Sequence, residues 1–259
     1  MLLSKLYRLV EPGSNLYRWE WYMYYSLAAW YTEIGGEWGE RVLELAFFNA
    51  ACQLCVFIPL VQIPALFTGH MSYVDIGWPA GLTLMGINTL RYAEGGNSTR
   101  IQLVGGIVFL HGLRMLLGAL HMLFPYRWPQ EFFSRYQYAR TRWIEHTGSS
   151  SWWWLKQQHD TLMQAYANAV PLPAPIFLAA TNPRPTLHPL EIAGAVCWVV
   201  SWSLENWADI SKKIWELEAT KDGTYLNTVL GYHAPYNQGK YYVWSICRHP
   251  NVSAFCAVL

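Results

Sequence analysis

Charge is what this sequence has least of. Asp, Glu, Lys and Arg make up only 14% of its 259 residues, and they leave a net charge of +1. No basic excess is present to neutralise a phosphate backbone, which excludes nucleic acid as a partner. Cysteine is sparse, and Cys52, Cys55, Cys197, Cys247 and Cys256 all lie in apolar sequence. Cys52-x-x-Cys55 has metal or redox spacing, but no second Cys or His pair accompanies it. These cysteines therefore read as small buried apolar residues, and no metal is expected. No secretory leader is expected, and Glu11 and Pro12 interrupt the basic pattern of a mitochondrial import segment that Lys5, Arg8 and Arg18 begin.

What the chain does contain is apolar and aromatic. Hydrophobic residues make up 53% of it, with 15 Trp and 17 Tyr, while the mean hydropathy is only +0.09. Apolar spans separated by sizeable polar segments, with aromatics at the interfaces, account for both figures. The expected fold is an all-α, polytopic membrane helix bundle of five to six transmembrane helices. Residues 1–42 read as an aromatic segment lying on the membrane, and residues 43–259 as the bundle.

The expected spans are Leu43 to Phe67, Tyr73 to Leu90, Ile101 to Leu123, Leu162 to Ala180 and Pro189 to Trp207, with a shortened sixth from Tyr242 to Leu259. Pro59 and Pro64 should kink the first, and Pro171, Pro173 and Pro175 the fourth. Gly77 and Gly81 form a G-x-x-x-G pair that allows close helix approach. Asp75, at the mouth of the second span, reads as a helix cap or as a group facing a cavity. Arg114 sits near the middle of the third and calls for an acid, with Asp75 or Glu205 as candidates. Nine Lys and Arg in loops 124–161 and 208–241 face three in loops 91–100 and 181–188, namely Arg91, Arg100 and Arg184. That bias puts the first pair of loops on the cytosolic or matrix side. The sequon Asn97-Ser98-Thr99 then lies opposite, in a lumen or intermembrane space.

Chemistry-bearing residues concentrate between Glu205 and Asn251. On a helix, Glu205, Asp209 and Lys213 are successive i, i+4 neighbours, and Lys212 adjoins them. A polar loop follows, and then Arg248-His249-Pro250-Asn251 just inside apolar sequence, where polar groups need partners. Two polar clusters framing one loop have the form of two halves of a site for a charged ligand.

Glu-x-x-Ala-Asp-x-x-Lys followed by Trp244-x-x-x-Arg-His-Pro-Asn resembles the signature of the steroid 5-alpha-reductase-like membrane proteins, closest to the branch labelled DUF1295. Val74-Asp75 with Trp78, His111-Gly112-Leu113-Arg114, and Arg135-Tyr136 with Arg140 and Trp143 extend the resemblance over roughly residues 70 to 251. The resemblance implies an NADPH site. Arg248 and Lys212 or Lys213 would meet phosphates, Asp209 and Asn251 ribose or amide groups, and His249 a phosphate or the turn before Pro250, with Glu205 alongside. The reaction implied is hydride transfer to an activated double bond of a lipid. In place of the family's Tyr-Phe-Gly-Glu after the tetrapeptide stands Val252-Ser253-Ala254-Phe255, and the chain stops eight residues after Asn251.

With the acid and a closing segment gone, the expectation is a fold that has lost its chemistry. It would serve as a structural or accessory subunit of a larger complex in the endoplasmic reticulum or mitochondrial inner membrane, with lipids and other membrane subunits as partners and no cofactor. The alternative is an NADPH-dependent reductase of lipid or steroid double bonds. A methyltransferase that modifies prenylated cysteines ranks third, through its similar Arg-His-Pro element.

Overall fold

The computed structural model describes residues 36–123, 134–148 and 151–246, and among these there are helices and turns but no strand. The chain forms two compact units, residues 1–186 and 187–259. Most of the aromatic segment expected over residues 1–42 lies outside the described residues. In unit 1, α1 (Gly36–Phe57) runs through a π-helical turn, Ile58–Gln62, into α2 (Ile63–Thr68). Pro59 carries no N–H for the helical ladder, and the expected kink takes the form of this π-turn. Gly69 ends the run in the left-handed conformation at φ 72°, its N–H bonded to the Ala65 carbonyl at 2.9 Å.

The chain turns through Met71–Tyr73 into α3 (Val74–Tyr92), which returns antiparallel to α1. Gly77 lies against Phe57 and Val61, and Gly81 against Gln53. The helix α4 (Ser98–Leu123) then runs antiparallel to α3, with Gly86 on Phe109 and Gly112 on Thr83. A Cβ on Gly86 would lie 2.4 Å from the Phe109 backbone nitrogen, and one on Gly112 would lie 2.4 Å from that of Thr83. The two backbones touch because neither glycine has a side chain to hold them apart.

Two of these runs, Gly36–Thr68 and Ser98–His121, are long and apolar enough to cross a membrane. The expected fourth span is built differently. The helix α6 (Trp153–Ala169) starts nine residues before Leu162 and stops short of Pro171, and α7 (Pro173–Ala180) follows as a separate helix. The prolines break the helix here instead of bending it, so neither piece alone is long enough to span. The amphipathic α5 (Ser134–Thr147) turns Tyr136, Ala139 and Trp143 onto a core of Phe57, Val61, Ala65, Met71, Tyr73, Val74 and Ala165. A second core joins Val42, Leu45 and Ala46 to Leu82, Met85, Ala174 and Phe177.

Between these cores the helices are tied by carboxamides. Asn49 and Gln53 of α1, Asn88 of α3 and Asn168 of α6 are all buried. Gln53 donates to the Gly81 carbonyl at 2.9 Å and to Asn49 Oδ1 at 3.2 Å, and Asn88 reaches the same Oδ1 at 3.3 Å. Asn49 donates to the Asn168 carbonyl at 3.1 Å, and Asn168 to the Trp78 carbonyl at 3.0 Å. Three helices are thereby held in one register by bonds between buried groups.

Arg100, counted above as a loop charge, is buried. Its guanidinium donates to the carbonyls of Asn182 at 2.9 Å, Arg184 at 2.8 Å and Thr186 at 2.6 Å. Just before it, Asn97 caps α4 by accepting from the N–H groups of Thr99 and Arg100, and its own nitrogen donates to the Pro185 carbonyl. One side-chain cluster thus closes the loop between α7 and unit 2.

The glycine contacts give a paired test. Gly112→Ala forces a methyl group into the Thr83 backbone and should cost about 1–3 kcal/mol. Gly106→Ala, with nothing within 4 Å of its Cβ, should be neutral or stabilising by up to about 1 kcal/mol. Denaturant unfolding of both in the same micelle, followed by circular dichroism, measures the difference.

Candidate functional site

The helix α8 (Pro189–Lys221) carries the first half of the motif. It starts at a well-made end: the Leu190 N–H donates to His188 Nδ1 at 3.2 Å, and the His188 N–H to Glu191 Oε2 at 2.6 Å. The helix runs fourteen residues beyond the expected end at Trp207, because its polar half keeps a buried stripe. Trp198, Glu205, Ala208, Ser211, Trp215 and Ala219 recur at helical spacing and are all buried. Glu205 is therefore part of the buried stripe. Asp209 is half-buried beside it, and Lys212 and Lys213 are exposed.

The stripe is covered by the segment that follows. Gly223, at φ 68°, ends the helix, and the Thr224 N–H bonds back to the Ala219 carbonyl at 2.8 Å. Tyr236 and Tyr241 join Trp215 and Ala219 in a small core, with ring centroids 5.4 Å apart between the tyrosines and 6.5 Å between Trp215 and Tyr236. A single 3₁₀ turn, Gly239–Tyr241, then leads into α9 (Tyr242–Ile246). There Trp244 donates its indole N–H to the Ala208 carbonyl at 3.0 Å and to Ser211 Oγ at 3.1 Å. Trp207 donates in the other direction, to the Lys240 carbonyl at 2.9 Å.

These bonds join parts of the sequence motif that are 36 residues apart. The tryptophan of Trp-x-x-x-Arg-His-Pro-Asn docks on the alanine of Glu-x-x-Ala-Asp-x-x-Lys, one turn from Glu205. Arg248, His249 and Asn251 themselves lie outside the described residues. Lys213 turns toward Glu216, 3.7 Å away, and so toward the C-terminal end of α8. Lys212 makes no ion pair among the described residues.

One polar group in this unit escaped the reading of the sequence. Lys240 Nζ donates to Glu218 Oε1 at 2.6 Å, and the Tyr241 hydroxyl donates to the other carboxylate oxygen. Those two bonds hold the Glu218 carboxyl below its ordinary range, and the bond to Glu218 raises the Lys240 ammonium. The only signal for it was the Gly-Lys-Tyr-Tyr run ahead of Trp244.

A second polar concentration lies at one end of unit 1, where α2 ends and α3, α5 and α6 begin. Asp75 does not cap α3. The N-cap position belongs to Tyr73, and Asp75 instead accepts the Tyr136 hydroxyl at 2.7 Å. The Arg140 guanidinium lies 4.0 Å over the Trp153 ring, and burial together with the Arg140 charge holds the His70 imidazole below its ordinary value. On α6, Lys156 and Asp160 form a buried ion pair at 2.9 Å, with His159 Nδ1 3.1 Å from the same carboxylate oxygen. Burial alone raises the Asp160 carboxyl, but His159 and Lys156 together outweigh it and the net shift is downward. Among the described residues no three His, Cys, Asp or Glu side chains are grouped to hold a metal ion.

A family model described as "Protein of unknown function (DUF1295)" matches residues 62–256, which takes in α2 to α9 and the motif. No curated protein and no solved structure matches the chain.

Lys156→Met strands a buried carboxylate and should destabilise the protein by about 3–5 kcal/mol, whereas Lys213→Met at the surface should cost under about 1 kcal/mol. Because the folded pKa of Asp160 is lowered, its contribution is full above its unfolded pKa of about 3.9 and is lost as the pH falls through the folded value. Chemical denaturation of the wild type and both variants between pH 3 and 7 reads the magnitude and the sign together.

Proposed function

This chain belongs to the DUF1295 family, and from that premise we propose that it is an integral-membrane protein of steroid 5-alpha-reductase-like architecture whose second unit binds NADPH to reduce a lipid double bond. The observation that carries the reading is the docking of Trp244 on Ala208 and Ser211. It returns the chain to α8 one turn from Glu205, four residues before Arg248 in the sequence, and this supports a single site served by acids and cations from both halves of the motif.

The donor set fits a dinucleotide. Lys212 is exposed with no ion-pair partner among the described residues, as a phosphate-binding cation needs to be, and Arg248 offers a fork suited to phosphate oxygens. Asp209 and Asn251 are hydrogen-bonding partners for ribose hydroxyls or an amide, His249 is a further donor, and the buried Glu205 fixes the acidic side of the site. When bound, NADPH supplies the hydride. The protein's part is to hold the charged groups, orient the ring and keep water from the double bond, which takes up one hydride and one proton.

A second reading is an accessory subunit of a larger membrane assembly, without turnover. It is favoured by the outer surface of α8, where Leu190, Val196, Val199, Val200, Leu204 and Ile210 are exposed, and by Val252 to Phe255 where the family pattern has an acid. A subunit that packs on lipid or on neighbours keeps such a surface at no cost.

The two readings separate in one experiment on the purified chain in detergent. Under the first, NADPH binds saturably at micromolar concentration. Arg248→Ala and Lys212→Gln each weaken it roughly tenfold or more, the loss of a charge-assisted hydrogen bond, with elution volume unchanged. Under the second, the wild type binds no NADPH and Arg248→Ala instead impairs folding or assembly. Isothermal titration and gel filtration on the same samples read both.

A further inference from the structure

The buried side of α6 is polar at both ends. Lys156, Gln157, Asp160 and Thr161 are buried at its start and Asn168 near its end, with Ala165 and Ala167 buried between them. From Lys156 to Asn168 this side rises about 18 Å. It begins beside Gly69, whose carbonyl accepts from Gln157 at 2.8 Å, and ends at the carboxamides of Asn49, Gln53 and Asn88, halfway along the Gly36–Thr68 run. In so apolar a bundle such a seam is costly unless each group in it is satisfied.

Its protein partners do not satisfy it. Gln157 Oε1, Gln53 Oε1 and Asn168 Oδ1 are buried oxygens with no hydrogen-bond donor, although their residues are all within 1% of full burial. Turning the amides over does not mend this. Gln53 Nε2 is fixed by two acceptors, Asn168 Nδ2 by the Trp78 carbonyl and Gln157 Nε2 by the Gly69 carbonyl. At the mouth of the seam, His159 Nε2 and Gln158 Nε2 are also buried without a partner. The deep end thus has acceptors to spare and lacks donors. A metal cation would bring donor-free charge into a site with no carboxylate at that depth, where burying it is expensive. A neutral molecule with two O–H groups meets the demand with no charge to bury.

We propose that the α6 seam is a hydrated half-channel: a file of water molecules leading from the Lys156–His159–Asp160 cluster at the end of the bundle to the Asn49–Gln53–Asn88–Asn168 cluster at its middle. The ionisable cluster is the mouth, with exchange toward bulk water past His159, whose side chain is 21% exposed while Lys156 and Asp160 are buried, and the carboxamides are the blind inner end. The seam brings water, and protons carried on it, to the centre of unit 1 without opening the bundle. It stands apart from the nucleotide reading, which concerns unit 2.

Water-edited solid-state NMR tests this on the full chain in lipid nanodiscs, with ¹⁵N in Asn, Gln and Val. Magnetisation from water should reach the carboxamides of Asn168 and Gln53 nearly as fast as that of Gln157, and several-fold faster than the amide of the fully buried Val61. In Asn168→Leu, transfer to Gln53 should slow toward the Val61 rate while Gln157 is unchanged, and unshifted backbone resonances of α3 and α4 establish that the fold is kept. Transfer to Asn168 and Gln53 as slow as to Val61 in the wild type overturns the proposal. So does fast transfer to Gln53 that persists in the variant, because water would then reach it by another route. NADPH titration of the same samples keeps the two proposals apart.

Discussion

A hydrogen bond from Gln53 to the Gly81 carbonyl fixes how unit 1 is put together. It forms only where α1 and α3 come within a side chain's thickness of each other, and residue 81 allows this because a Cβ there would lie 2.3 Å from Gln53 Oε1. The same glycine lets Asn168 reach in from α6, so one missing methyl group sets the register of three helices. Apolar packing alone fixes register weakly in such a bundle, since neighbouring apolar side chains are nearly interchangeable. Carboxamides are not interchangeable, and a shift of one residue would leave every one of them buried and unmet.

Unit 2 reaches its specificity in another way. Its loop is held to α8 by indole N–H groups aimed at carbonyls and a hydroxyl, through Trp207 and Trp244, with an aromatic core between them. A tryptophan delivers a large apolar surface and a single directed donor, so it anchors a segment without adding charge. This accounts for much of the aromatic excess near the end of the chain: the residues serve as pins as well as interface markers.

The long apolar runs at Gly36–Thr68 and Ser98–His121 were legible in the sequence, as were the all-helical class and the close approach at Gly77 and Gly81. The limits of α6 were not, because Lys156 and Asp160 look like the polar flank of a span until their i, i+4 pairing lets them be buried together. Arg100 misled for a similar reason: three carbonyls contributed by a loop 82 to 86 residues away cannot be foreseen from local composition. At the candidate site, the shared face of Glu205 and Asp209 was legible. The turn of Lys213 toward Glu216 was not, since two acids compete for it at nearly equal distance along the helix. Trp244 was visible as part of a motif, but its docking partner was 36 residues upstream.

The cap at Asn97 bears on the sequon it belongs to. Attachment of a glycan uses the carboxamide nitrogen of that asparagine. Here one of its two N–H groups is held by the Pro185 carbonyl while its oxygen holds the first turn of α4. A glycan would replace the other hydrogen, so the cap can keep both of its bonds, but the sugar would have to grow out alongside the loop that follows α7.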